Sequence, residues 1–237
     1  MSSLPANILF VSGTDTEVGK TYVCGRLLEY AQANNIKAGY QKWVCSGSEE
    51  TVPDDLEYCL GAAGLPIDPE LVGEQVPYSF RFPGSPHLAA AMENRVVDPD
   101  VIIRKCKNLA RQYEWLIVEG VGGLLVPLRH DLLLADLLGQ LQPWTLLVAR
   151  SGLGTINHTL LSIEAMHSRR IPTLGVIFSD AEQDENKTIV SDNQKIIQEI
   201  GKVKVFGRLQ RETDPALARE EFQPIGRAIF DRLQQNI

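Results

Sequence analysis

Residues 12–21, Ser-Gly-Thr-Asp-Thr-Glu-Val-Gly-Lys-Thr, restrict the possible folds more than any other stretch of the chain. They finish as a phosphate-binding loop finishes, in Gly19-Lys20-Thr21, yet five residues instead of the usual four separate Gly13 from Gly19. The flanks supply the context such a loop needs. Ile8-Leu9-Phe10-Val11 reads as a short buried strand, and Tyr22 to Tyr30 places apolar residues at helical spacing. In a strand–loop–helix unit the free N–H groups at the helix start point at an anion, Lys20 reaches the β- and γ-phosphates, and the Thr21 hydroxyl can ligate Mg²⁺. The competing reading is a glycine-rich turn without chemistry, which the Gly-Lys-Thr ending in this setting disfavours.

Further strand-length apolar runs fall at Ala38–Val44, Trp115–Val118, Trp144–Ala149, Thr173–Phe178 and Val203–Phe206. Helical patterns alternate with them near Gly19–Ala33, Asp54–Ala63, Asp98–Tyr113, Asp131–Leu141, Thr155–Ser168, Asn186–Ile200 and Pro224–Asn236, several opened by Asp, Asn or Thr as N-cap candidates. The alternation predicts an α/β fold, a mostly parallel sheet flanked by helices and like that of the P-loop NTPases. Residues 1–237 read as one domain, because no linker interrupts the pattern. A net charge of −7 without a basic block argues against a nucleic-acid partner. Cys24, Cys45, Cys59 and Cys106 form no Cys-x-x-Cys pair, so reduced thiols are expected. The N-terminal residues lack a basic segment followed by a long apolar run, and Leu132–Val148 is broken by Asp136 and Pro143. A cytoplasmic protein without a membrane span is the expectation.

Ligands of open parallel sheets sit beyond the carboxyl ends of strands. After Trp115–Val118 comes Glu119-Gly120-Val121-Gly122-Gly123, where a carboxylate closing a buried strand opposite a phosphate loop is placed for a nucleotide-bound Mg²⁺. The glycines allow a ligand close to the backbone; an incidental Glu in a glycine-rich turn is the plainer alternative. Lys42, within an apolar strand, either meets an anion or snorkels from an edge. Ser46 and Ser48 donate to a substrate or cap a turn. Asp54 and Asp55 complement a helix dipole, and the start of the 155–168 helix, with Thr155 as N-cap and Asn157 beyond it, either ends a turn or seats a carboxylate.

Together these segments resemble the dethiobiotin synthetase family, whose loop reads G-T-D-T-E/D-V-G-K-T with the same five-residue spacing. Pro83-Gly84-Ser85-Pro86-His87-Leu88-Ala89-Ala90 is similar to its P-x-S-P-H-x-A segment, residues 118–123 to V-E-G-x-G-G, and residues 153–158 to L-G-x-I-N-H. The matches run in family order from about residue 8 to residue 180. The resemblance implies an ATP- and Mg²⁺-dependent ligase that closes a ureido ring on 7,8-diaminononanoate with CO₂, in biotin biosynthesis, as a homodimer. It implies that Glu17, Val18, Gly19, Lys20, Thr21 and Tyr22 wrap the triphosphate, with Lys20 and Lys42 catalytic. Thr21, Asp55 (in preference to Asp54) and Glu119 would hold the metal, and Glu119, Gly120, Val121 and Gly122 would approach the nucleotide. Thr16 and Ser46 would contact the substrate, as would Asn157 of the partner subunit.

The chain departs from the family where Trp43 replaces the proline after the lysine, leaving that backbone less restrained and a bulky indole to house. Ser179-Asp180 stands where Asn-Asp reads adenine, and Leu209, Gln210 and Arg211 replace an Ile-Pro segment lining the base pocket. Ser179 offers one hydroxyl in place of an amide, so a relaxed base preference is expected. A glutamine-dependent amidoligase and an ATPase switch share the loop type. The first needs a further domain; the second needs a membrane-binding tail or a basic patch.

Overall fold

A computed structural model describes residues 4–180, 185–210 and 214–235. The chain runs β1 (Ile8–Gly13), α1 (Lys20–Ala33), β2 (Ala38–Lys42), β3 (Val44–Ser46), α2 (Asp54–Ala62), α3 (Val72–Gln75), β4 (Tyr78–Phe80), α4 (Pro86–Met92), α5 (Pro99–Ala110) and β5 (Trp115–Gly123). It continues through β6 (Pro127–Arg129), β7 (Leu132–Leu133), α6 (Leu134–Leu141), β8 (Trp144–Arg150), α7 (Thr155–Ser168), β9 (Thr173–Ser179), α8 (Lys187–Gly201), β10 (Val205–Leu209) and α9 (Pro215–Gln234).

Six strands form one parallel sheet in the order β10-β9-β8-β1-β5-β2. Alternation along each strand feeds two cores. Ile8 and Phe10 of β1, Leu116 and Val118 of β5, and Leu147 and Ala149 of β8 face α5, α6, α7 and α8. Leu9, Val11, Ile117, Leu146 and Val148 face α1, α2 and α9. Both faces of the sheet are therefore dry, and the ends of the strands are left as the places where polar chemistry can gather.

The predicted strand 38–44 divides at Trp43. Lys42 still pairs with Glu119 on β5, whereas β3 leaves to pair with β4 in a separate two-stranded sheet. Trp43 is fully buried against Phe10, ring centroids 4.7 Å apart, and its indole N–H donates to Gln41 Oε1 at 3.2 Å. The large side chain thus finds its room in the core, where burial of that size contributes roughly 1.5–3 kcal/mol or more.

Two predicted helix starts and one predicted cap need correction: α6 begins at Leu134 and not at Asp131, because Leu132 and Leu133 pair in β7. The last helix begins at Pro215, capped by Asp214 accepting from Ala216 N, and passes through Pro224. Its anticipated end, Asn236, lies outside the described residues. Thr155 is the first residue of α7, not its cap; Gly154, at φ 89°, precedes it, and the Thr155 hydroxyl faces that of Thr159 at 3.2 Å. Asp98 and Asn186 do cap α5 and α8. The short α3, α4, β3, β4, β6 and β7 were not anticipated, since segments of two to seven residues carry too little periodicity. Among the described residues, no helix is long and apolar enough to cross a membrane.

Candidate active site

β1 is flanked by β8 and β5, so the loop after it opens at the centre of the sheet. The additional residue is accommodated on the loop's outer side: Asp15, Thr16 and Glu17 are exposed, and Glu17 takes the left-handed conformation at φ 57°. Val18 then returns inward, 2% exposed, to anchor the loop. Gly19 is required by conformation and by space. Its φ is 92°, and a Cβ there would stand 2.4 Å from Ser179 Oγ. Lys20 folds back so that Nζ donates to Asp15 O at 2.8 Å. Burial, reinforced by the charge of Lys42, lowers its pKa to about 8.

Three strands and two helices place the rest. Lys42 at the end of β2 and Glu119 on β5 are register partners, and Glu119 is also level with Val11 on β1. Lys42 Nζ donates to Glu119 Oε1 at 2.5 Å and lies 3.0 Å from Asp55 Oδ2, in the first turn of α2. The Thr21 hydroxyl, in the first turn of α1, lies 2.8 Å from Asp55 Oδ1 and 2.9 Å from Glu119 Oε1, either of which can accept its proton. Burial opposes the charge of Lys42, but Glu119 and Asp55 outweigh it and hold the ammonium above its ordinary pKa. Burial likewise opposes ionisation of Asp55, and Lys42 outweighs it, keeping this carboxyl below its ordinary value. Of the two candidate aspartates, only Asp55 enters the cluster.

These groups border a cavity of about 510 Å³. Gly19, Lys20 and Thr21 form its phosphate-loop wall; Lys42, Asp55 and Glu119 its charged floor; Thr16, Glu17, Ser46, Val121 and Gly122 its rim. Cys45 lines it too, but burial raises its thiol to about 11, so it is a poor nucleophile at neutral pH. Two carboxylates and a hydroxyl converge as hard oxygen donors, the set that suits Mg²⁺ when phosphates and water complete the shell. Among the described residues no group of three or more His, Cys, Asp or Glu side chains is placed to hold a metal ion.

Tyr40 belongs to the cluster and sequence reasoning missed it. Its buried hydroxyl donates to Glu119 Oε2 at 2.7 Å, leaving Oε1 to Lys42 and Thr21. The signal was available: Tyr40 is two residues before Lys42 on one strand and so shares its face.

Other predicted residues are not among those that border this cavity. Tyr22 sits beneath the Arg26 guanidinium, 5.6 Å from its ring centroid, and Gly120 makes room for the Phe10 ring. The Asp180 carboxylate is clasped by Arg208, with Nε at 2.8 Å and NH2 at 2.6 Å, while Leu209 is buried and Gln210 turns to Glu221 at 3.1 Å. Arg211 is outside the described residues. Asn157 is exposed on α7 and does not border the cavity. Its neighbour His158 lines a second cleft of about 420 Å³ together with Val126 and Leu161, where Leu125 (54%) and Leu161 (55%) are exposed.

A family model described as an AAA domain matches residues 7–218. An ATP-dependent dethiobiotin synthetase BioD of Brachyspira hyodysenteriae is 35% identical over 206 residues, 85% of this chain and 91% of the relative. Its counterpart from Agrobacterium fabrum is 39% identical over 215 residues, 90% and 91% of the two chains. Among solved structures, a chain of the MinC:MinD cell division protein complex of Aquifex aeolicus superposes with a TM-score of 0.57 at 13% identity, covering 97% of this chain and 95% of that one. A ParA family ATPase from Chlorobium tepidum gives 0.53 at 12% identity, covering 96% and 97%. These likenesses concern the fold alone. At 32–40% identity over most of its length to the curated relatives, the chain belongs to the ATP-dependent dethiobiotin synthetase family.

Proposed function

We propose that the chain joins 7,8-diaminononanoate and CO₂ at the expense of ATP, giving dethiobiotin, ADP and phosphate, as a single-domain cytoplasmic homodimer that uses Mg²⁺. The observation that carries this reading is the placement of Lys42 beside both carboxylates, within the cavity that Lys20 and Thr21 also border.

The chemistry proceeds in three steps. One amine adds to CO₂ and releases a proton, forming a carbamate. A carbamate oxygen then attacks the γ-phosphorus and ADP leaves. The second amine attacks the carbonyl carbon, phosphate leaves, a further proton is released and the ureido ring closes. Lys42, kept cationic by its carboxylate partners, serves as a fixed hydrogen-bond donor to carbamate and transferring phosphoryl oxygens and cannot act as the base. Lys20 supplies positive charge at the β- and γ-phosphates, and the loop N–H groups complete the cradle. Mg²⁺, held by Thr21, Asp55 and Glu119, would neutralise phosphate charge. Thr16 and Ser46 at the rim hydrogen-bond the diamine. Glu17, Val18, Gly19, Tyr22, Gly120, Val121 and Gly122 shape the nucleotide's bed, with Ser179, Asp180, Leu209, Gln210 and Arg211 toward the base. Positioning and charge compensation supply the rate, without a covalent enzyme intermediate.

Exposed Leu125 and Leu161 at the second cleft support dimerisation through that face, which would deliver Asn157 to the carboxylate tail of the substrate in the partner subunit's cavity. The test is direct. Purified protein with the diamine, bicarbonate, Mg²⁺ and ATP yields dethiobiotin by mass spectrometry, and omission of any one component abolishes it. ATP hydrolysis indifferent to the diamine would instead return the chain to the amidoligase or ATPase-switch reading.

A further inference from the structure

A cavity of about 300 Å³ lies at the other end of β2, along the outer edge of the sheet. Leu60, Leu65, Leu71 and the Tyr113 ring give it apolar walls, and Gln75 lines its depth. The Tyr113 ring packs on β2 where only glycine leaves room, since a Cβ on Gly39 would fall 2.4 Å from Tyr113 Cε2. Gln75 is 4% exposed, and its Oε1 is buried without a hydrogen-bond partner among the described residues. A carboxamide whose buried oxygen is unpaired is costly to keep, and buried polar groups are ordinarily satisfied. Its chemical complement sets an N–H beside a C=O, as cis-amides and cyclic ureas do.

The cavity is tied to the catalytic strand. Gln41 donates from Nε2 to Glu74 O, the residue before Gln75, at 2.9 Å, and accepts from the Trp43 indole through Oε1 at 3.2 Å. Gln41 and Trp43 flank Lys42. Movement of α3 on ligand entry is therefore transmitted, through two hydrogen bonds, to both neighbours of the lysine.

We propose that this cavity is an effector site for a small apolar molecule bearing a cis-amide or cyclic urea, coupled through Gln41 to the strand that carries Lys42. The whole chain, with labelled leucine methyls, is titrated with 2-piperidone and with cyclohexanone, a ring of the same size without the N–H. The Leu60, Leu65 and Leu71 methyls and the Trp43 indole N–H are followed by NMR, so no turnover is needed. Saturable shifts at all of these, with the lactam binding about tenfold tighter than the ketone, are expected from one added buried hydrogen-bond pair. Gln75→Met should erase the tenfold preference while leaving the ketone titration unchanged, which also shows that the variant folds. Leu71→Trp, filling the cavity, should abolish both titrations. Absent saturation, equal affinities, or a preference that survives Gln75→Met would overturn the site; saturable binding with a silent Trp43 indole would overturn the coupling.

Discussion

Lys42→Met is the perturbation with the most calculable consequence. The side chains of Lys42 and Glu119 are 8% and 0% exposed and that of Asp55 is 27% exposed, so removing the cation leaves one carboxylate wholly buried and a second partly so, without their counter-charge. Losing one partner of a buried ion pair costs about 3–5 kcal/mol, most of it the desolvation of the abandoned charge. For a chain of this size about 2–4 °C of melting temperature accompanies each kcal/mol, so a fall of roughly 6–20 °C is expected. Methionine retains the stem, which separates the charge from the packing. The remedy is specific: adding Glu119→Gln to Lys42→Met should restore part of the loss, by about 1–3 kcal/mol, because the orphaned charge has been removed. Activity behaves oppositely. Turnover should fall by about two to three orders of magnitude in the single variant, as for loss of a preorganised donor, and the double variant should not recover it. Denaturant melts of the two variants and Glu119→Gln, with nucleotide affinity by calorimetry, complete the cycle. The pH dependence follows from the signs. Lys42 is raised, so its stabilisation is present below the ordinary lysine pKa and lost only as pH climbs through the folded value; Asp55 is depressed, so its share is lost only as pH falls through its folded value. The deficit of Lys42→Met should thus be flat across neutral pH. A loss under about 1 kcal/mol, or no relief from Glu119→Gln, would refute the claim that the cation exists to neutralise buried carboxylates.

Lys20, with a pKa near 8 in the free protein, regains its proton beside a triphosphate, so ATP affinity should weaken as pH rises above about 8. Calorimetry in buffers of different ionisation enthalpy should register proton uptake there, and none would place the lysine away from the phosphates. Asp55→Asn should raise the Mg²⁺ concentration needed for half-maximal turnover by about tenfold or more, while Asp54→Asn, outside the cluster, should leave it within about twofold. Gly19→Ala combines a left-handed residue with a Cβ 2.4 Å from Ser179 Oγ and should weaken nucleotide binding by about tenfold or more; adding Ser179→Gly should recover only the steric part. Because Arg208 occupies the Asp180 carboxylate and Ser179 packs on Gly19, turnover with CTP and GTP should lie within about tenfold of that with ATP, and an ATP-only profile would reject relaxed base choice.

How far the sequence disclosed this site depends on how locally each part is encoded. The central sheet was legible because six buried strands write themselves as apolar runs between helical periods, and all six formed with ends displaced by a few residues. Lys20 and Thr21 were legible because a contiguous loop sets their positions. Lys42, Asp55 and Glu119 were each ambiguous alone, since an edge-strand lysine, a dipole-compensating aspartate and a turn glutamate have ordinary explanations. What resolves them is strand order. Once β2 lies against β5 in parallel register, Lys42 and Glu119 become neighbours, and the helix after β3 is brought over them with Asp55 in its first turn. That adjacency joins residues 77 positions apart, which no local period carries. Tyr40 follows from the same register, because a strand that turns Lys42 toward Glu119 must turn the residue two before it the same way. Gln75 lies at the far limit: its significance comes from a missing partner, a property that exists only once the fold has placed the polar groups around it.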